Sequence, residues 1–334
     1  MAQLSQRTGN KGQARGMIKS ISYWSMQNGL AGTHPIADAL DQANLAGFDG
    51  LELCIGVEGV LTPQTTLAEC DQIRRQIDDS GLVVETLASG MSWACNPTSN
   101  DEIVRSRAID IHVAAIERAA WLGCQALLFV PGVVNSPIAP AENIRNDLAV
   151  SRARAAVSQL LEAADEFGVD LCLENVWNGL FLSPLELSAF IDSFGSERLG
   201  VYFDIGNVLR YHQYPPHWIE LLGERVKRVH VKDFTERFDW DGSYSFCELG
   251  GGDVDWPGTM RALDTIGYSS TIVAEIMPYH EGVLEQTSIA LDAILSFSES
   301  QREANQLRVD DAKLLGEKPH FQVSRSVSKS PNPS

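Results

Sequence analysis

Short apolar runs recur along the chain, separated by longer stretches in which apolar residues return every three or four positions. The runs are Ile18–Tyr23, Gly50–Cys54, Val83–Ala88, Ala126–Val130, Asp170–Glu174, Leu199–Phe203, Val226–Val231 and Thr271–Glu275. Their length and β-branched content predict strands buried on both faces, as in a parallel sheet. The stretches between them read as helices. Val157, Leu160, Leu161 and Ala164 follow the i, i+3, i+4, i+7 spacing of a core-facing stripe. Capping residues mark several starts: Thr65 ahead of Leu67–Ser80, Asp101 ahead of Ile103–Leu122, and Ser183 followed by Pro184. Glycines at 81, 123, 168 and 267 mark stops.

Eight strands, each followed by a helix or a loop and a helix, predict an α/β fold, a single-domain (β/α)8 TIM barrel. The competing doubly wound sheet would carry a glycine-rich phosphate turn after its first strand, and Ser22–Gly32 has no GxGxxG. The ends differ from the middle. Residues 1–16 are polar and predict a disordered N-terminal tail; 17–300 form the barrel; 301–334 form a C-terminal extension whose end, Phe321–Ser334, is poor in large apolar residues.

Composition then narrows the function. The chain has 334 residues, 44% of them hydrophobic, and 26 Lys and Arg against 44 Asp and Glu, for a net charge of −18. Such a field repels phosphate backbones and anionic lipid, so no nucleic-acid or membrane partner is expected. No run approaches the ~20 apolar residues of a membrane helix, and polar Met1–Gly16 lacks the apolar stretch expected of a secretory signal. Six scattered cysteines without a CxxC pair predict reduced thiols and a cytoplasmic protein.

In a barrel of this kind the active site lies at the C-terminal ends of the strands. Four polar residues fall there on the last four strands: Glu174 in LCLENVW, Asp204 in VYFDIGN, His230 in RVHVKDF and Glu275 in IVAEIMPY. They stand 30, 26 and 45 residues apart; the first two gaps match one βα unit, and the third carries an extra loop, Thr235–Asp253. Three carboxylates and an imidazole at one rim repel unless a cation or shared protons neutralise them. Such an oxygen-rich set suits one divalent ion, Mn²⁺ first, with Mg²⁺ or Co²⁺ as alternatives. The competing account is an ion-pair network.

The stretches LENVWNGLFLSPLEL, GVYFDIGNVL, RVHVKDF, ELGGGDVDWPGTMRAL and AEIMPY resemble the xylose-isomerase-like TIM-barrel superfamily of sugar and sugar-phosphate isomerases and epimerases, a likeness running from about Ile18 to Phe297. The resemblance implies that Glu174, Asp204, His230 and Glu275 are metal ligands and that Glu174 and Glu275 are the acid/base pair. It implies proton transfer beside a ketose carbonyl through a cis-enediolate, most simply as a 3-epimerase of a ketose or ketose phosphate, with possible homo-oligomers. Three positions depart from the free-ketose 3-epimerase pattern: Asn207 replaces a His, Glu236 an Arg (with Arg237 beside it), and Leu180 a Glu. The HVKD and LGGGDVDW motifs look more like the pentulose-phosphate branch.

Substrate-contacting candidates are Asn207, Lys232, Arg237, Glu52 and Trp177. Asn175 and Asp233 stand beside them, and surface contacts or ion pairs explain these polar residues equally well. Gly250–Gly252 offers backbone N–H groups to a phosphate, or a plain turn before Trp256. Trp24, Trp93 and Trp177 follow strands 1, 3 and 5 and suit sugar faces or loop packing alike; His34 and His280 carry no assignment. Rival functions are a lyase or dehydratase on a keto-sugar, keto-inositol or 3-keto-glycoside, and a sugar-binding barrel without turnover. A three-metal nuclease needs clustered histidines, and the seven here are dispersed.

Overall fold

The computed structural model describes residues 16–135, 142–236 and 244–298. The expected tails, 1–16 and 301–334, lie outside this range apart from Gly16. Eight parallel strands close a barrel: β1 (Ile18–Ser22), β2 (Gly50–Ile55), β3 (Thr86–Ser89), β4 (Ala126–Phe129), β5 (Asp170–Glu174), β6 (Leu199–Asp204), β7 (Val226–Val231) and β10 (Thr271–Ala274). The ring closes where Ile18 to Ile21 of β1 run beside Thr271 to Ala274 of β10. Around it lie α1 (Ile36–Leu45), α2 (Leu67–Ser80), α3 (Glu102–Leu122), α4 (Asn146–Phe167), α5 (Pro184–Asp192), α6 (Pro215–Leu222), α7 (Trp256–Thr265) and α8 (Val283–Leu295). The apolar runs are strands because they are sandwiched between barrel interior and helical shell, and every residue of β2 and β6 is buried. The α4 stripe from Val157 to Ala164 faces the core as its spacing predicts.

Local chemistry sets the helix ends. Asp101 accepts from Ile103 N at 2.8 Å, and Ser183 caps α5 ahead of Pro184. The α2 cap is Thr66 rather than Thr65. Thr66 and Glu69 form a reciprocal capping box, while Thr65 Oγ1 accepts from Thr62 N and closes the preceding turn. Gly81, Gly123 and Gly168 take the left-handed conformation that ends a helix. The third run begins its barrel pairing at Thr86, not Val83, which makes an isolated bridge to Gly50. No helix among the described residues is long and apolar enough to cross a membrane. All six cysteines are free thiols, and five are buried.

The long gap before the last barrel strand holds an antiparallel hairpin, β8 (Asp233–Glu236) with β9 (Tyr244–Cys247). Asp233 anchors it. Its buried carboxylate accepts from Phe234 N (2.9 Å), Gly250 N (3.0 Å), Val254 N (3.3 Å) and Trp256 Nε1 (3.0 Å). Gly251 N meanwhile donates to Glu248 O. The Gly250–Gly252 segment is thus a turn wrapped on Asp233, with the N–H groups of its first two glycines already engaged. Gly252 is required there, because a Cβ would overlap the Asp233 carboxylate.

Removing four acceptor interactions strands buried donors, each worth on the order of 1 kcal/mol or more. Asp233→Ala is therefore expected to lower the unfolding free energy by about 2–4 kcal/mol, read from urea denaturation followed by circular dichroism. An unchanged midpoint would contradict the anchoring role.

Candidate active site

Strand register assembles the site. Glu174 pairs with Tyr202 across β5 and β6, Asp204 pairs with His230 across β6 and β7, and Glu275 N donates to Val231 O just past β10. All four side chains are buried at one mouth, and one ligating atom from each lies within 4.8 Å of the others. Side chains two apart on a strand share a face, so Lys232 follows His230 into the same space. Its ammonium stands 2.8 Å from Asp204 Oδ2 and 2.6 Å from Glu275 Oε2. The ion-pair network and the convergent cluster are therefore both present.

The remaining bonds aim the cluster. Asn175 and Asp204 exchange hydrogen bonds, Asn175 Nδ2 to Asp204 O and Asp204 N to Asn175 Oδ1, each 2.8 Å. Asn207 N donates to Asp204 Oδ1 at 2.9 Å, which leaves Oδ2 facing the centre. Asn207 Nδ2 bonds Asn175 O at 3.0 Å. Gly206 makes this tight path possible, since a Cβ there would stand 2.6 Å from Lys232 O. Behind His230, Glu52 Oε1 lies 2.8 Å from Nε2, and Glu52 Oε2 accepts from Thr86 Oγ1 (3.0 Å) and from Tyr202 OH. The ring is thereby turned so that Nδ1 faces the cluster.

The four residues fit a divalent cation. His230 Nδ1 and Asp204 Oδ2 are buried without a hydrogen-bond partner. The 3.5 Å from Nδ1 to Glu275 Oε2 is an ionic contact, and Lys232 approaches Oδ2 as an ion pair outside hydrogen-bond geometry. Three hard carboxylate oxygens and one imidazole nitrogen match the preferences of Mn²⁺, Mg²⁺ or Co²⁺.

Proton affinities follow from burial and neighbours. Burial, with Glu275 and Asp204 nearby, pushes Glu174 up to about 8 against the pull of Lys232. Burial likewise raises Asp204. For Glu275 burial acts the same way, but Lys232 and His230 outweigh it and hold its carboxyl well below the usual range. Burial disfavours the charged ring of His230, yet Glu52 and Glu275 overcome it and raise its pKa well above normal.

A cavity of about 480 Å³ opens onto Glu174, Glu275 and Lys232, within the range of small-molecule sites. Trp24, Trp93, Trp177, Phe246 and Met277 give it largely apolar walls. Of the substrate candidates, Asn207, Lys232 and Trp177 line it. Glu52 does not: it is fully buried behind His230, where it orients the ring. Arg237 lies outside the described residues, while its neighbour Glu236 pairs with His212. His34 is buried near Tyr23, and His280 is exposed. Sequence reading missed Arg210 and Phe246. Arg210 sits six residues beyond Asp204 on the 3-10 turn Gly206–Tyr211, and Phe246 reaches the cavity through a hairpin that no periodicity announces.

A profile describing the xylose isomerase-like TIM barrel matches residues 40–297. The chain belongs to that family. A 3-oxo-isoapionate decarboxylase of Pectobacterium atrosepticum is 24% identical over 252 residues, covering 73% of this chain and 78% of that protein. Among solved structures, a D-psicose 3-epimerase from Clostridium cellulolyticum, crystallised with D-tagatose, superimposes with a TM-score of 0.68 at 19% identity. That match covers 84% of this chain and 99% of the epimerase. A 3-keto-D-glucoside 4-epimerase from E. coli gives 0.65 at 14% identity, covering 84% and 99%. At such identities the likeness is one of fold, and sugar-processing enzymes share it.

Two outcomes follow. Ligation requires Glu174 ionised and His230 Nδ1 unprotonated, so binding of Mn²⁺ should release protons and tighten as pH rises toward about 8. Calorimetry in buffers of different ionisation enthalpy reads this, and a pH-independent affinity would contradict it. Glu52→Gln, which touches no ion directly, is expected to weaken Mn²⁺ binding about 10–100-fold by loosening the imidazole.

Proposed function

We propose that the protein is a divalent-metal-dependent enzyme that moves a proton beside the carbonyl of a keto sugar, with epimerisation at the adjacent carbon as its leading reaction. The observation that carries this reading is the buried convergence of Glu174, Asp204, His230 and Glu275 on a sugar-sized cavity. A cation held by these four would supply the positive charge that polarises a ketose carbonyl.

The protein's own groups account for the proton traffic. Glu174 and Glu275 come from strands that flank the two bearing Asp204 and His230, so they bracket the cluster. One carboxylate takes the proton from the carbon beside the carbonyl, and the C–H electrons pass into an enediolate. The other carboxylate returns a proton to the opposite face. The count of protons and electrons closes without an oxidant or reductant. Lys232 keeps Glu275 ionised and ready to accept a proton. The tryptophan walls exclude water and lie against the C–H faces of a sugar. Asp204, His230 and Glu52 position rather than transfer.

The likeness to a decarboxylase supports a second reading on the same parts. A 3-keto acid losing carbon dioxide also sends its bonding electrons into an enolate, which then takes a proton from a carboxyl group. Epimerisation and decarboxylation differ in which bond at that carbon breaks.

Solvent deuterium separates them. With Mn²⁺ present, a substrate ketose should gain deuterium without losing mass elsewhere, and Glu275→Gln should abolish the exchange while leaving the circular dichroism unchanged. Release of carbon dioxide from a keto acid, with no exchange into ketoses, would favour the second reading. Exchange at the wild-type rate in Glu275→Gln would remove Glu275 from the chemistry.

A further inference from the structure

Two cationic side chains line the cavity, Lys232 and Arg210, and they are placed very differently. The Lys232 ammonium is held between Asp204 and Glu275. Arg210 is exposed at the mouth, and its guanidinium lies 4.2 Å from the centre of the Trp177 ring. Among the described residues its side chain has no carboxylate or hydrogen-bond partner, in a chain of net charge −18 where acidic groups abound. A guanidinium seated over the ring face engages no N–H donor with a protein oxygen there, and its planar fork can grip a carboxylate or phosphate through two bonds.

The platform beneath it is fixed. The Trp177 ring stacks on Phe246 with centres 5.0 Å apart and planes 8° from parallel. Trp177 Nε1 donates to Asn207 O at 3.0 Å, and Tyr211 OH donates to Val176 O at 2.7 Å. The turn that carries Arg210 is thus tied on both sides to the loop that carries Trp177, and the guanidinium is held over the cavity at little further loss of side-chain freedom. The same turn begins two residues after Asp204, so a ligand reaching the cluster with its polar end presents its other end toward Arg210.

We infer that Arg210 selects an anionic keto sugar, one bearing a carboxylate or phosphate away from its reacting carbonyl, over a neutral ketose. This rests on the proposed action on keto sugars and adds the substrate's charge class. The two oxyanions share the chemistry that Arg210 reads, so both are tested.

The test measures binding of unreactive analogues by calorimetry to the Mn²⁺-loaded protein: D-ribonate, D-ribitol 5-phosphate and neutral ribitol. Wild type should bind one or both anions at least about 10-fold more tightly than ribitol, as expected for a charge-assisted bidentate contact. Arg210→Ala should collapse that ratio toward one, and Arg210→Lys, which keeps charge without the fork, should restore part of it. The arm that shows the preference identifies the oxyanion. Equal affinities for neutral and anionic analogues, no anion binding at millimolar concentration, or an undiminished ratio in Arg210→Ala would each overturn the inference. Because these ligands do not react, the result is separate from deuterium exchange. A ketose that exchanges while the anion preference is absent would sink the role of Arg210 and leave the proposed chemistry standing.

Discussion

Everything at the mouth of this barrel answers one electrostatic constraint: several carboxylates share a volume from which water is largely excluded. Taking one ion out of water costs several kcal/mol even after relaxation, and like charges a few ångströms apart add to that. Lys232 is the protein's own answer, an ammonium bracketed by Asp204 and Glu275. It compensates incompletely. Glu174 still has its proton affinity lifted by burial and by its acidic neighbours, and Asp204 is lifted with it. A group of this composition has a deficit of positive charge that one divalent ion would match.

The same constraint explains how deep the polar construction runs. Glu52 comes from β2, three strands around the ring from β7, yet it reaches His230 and is itself held by Tyr202 and Thr86. A buried carboxylate with three partners holds the imidazole in one orientation. The outer layer is treated differently. Trp24, Trp93, Trp177 and Phe246 supply an apolar wall, and a wall of low polarity strengthens the charge interactions beside it. Polar floor and apolar walls together are what the proposed ionisation of a C–H bond beside a carbonyl requires.

Family membership places the chain among barrels that share an architecture while differing in reaction. Epimerases and a decarboxylase both appear among its relatives and structural neighbours. The proposed epimerisation and decarboxylation would share an enediolate or enolate, so the cluster alone does not choose between them. On the proposed reading the choice would lie in the outer shell of the cavity. There this chain presents Arg210 stacked on Trp177, and Asn207 tied into the backbone rather than projecting as a free contact.

How much of this was legible without coordinates depends on the range of the interaction. Alternation of apolar runs with helical stripes determined the barrel, because strand and helix periods are properties of consecutive residues. Strand-end positions likewise pointed to Glu174, Asp204, His230 and Glu275, since parallel strands of one barrel carry their ends to the same rim. Whether Glu52 meets the substrate or orients a neighbour is not legible locally, because its partner His230 is 178 residues away and only barrel closure brings the two together. Phe246 and Arg210 depend on a hairpin and a 3-10 turn that leave no periodic trace, and the glycines after Glu248 serve Asp233 through contacts that local pattern does not encode. Sequence by itself therefore determined the architecture and the inventory of chemical groups. Tertiary structure alone decided which of them face one another, because register, side-chain direction and burial are set by the closed sheet as a whole.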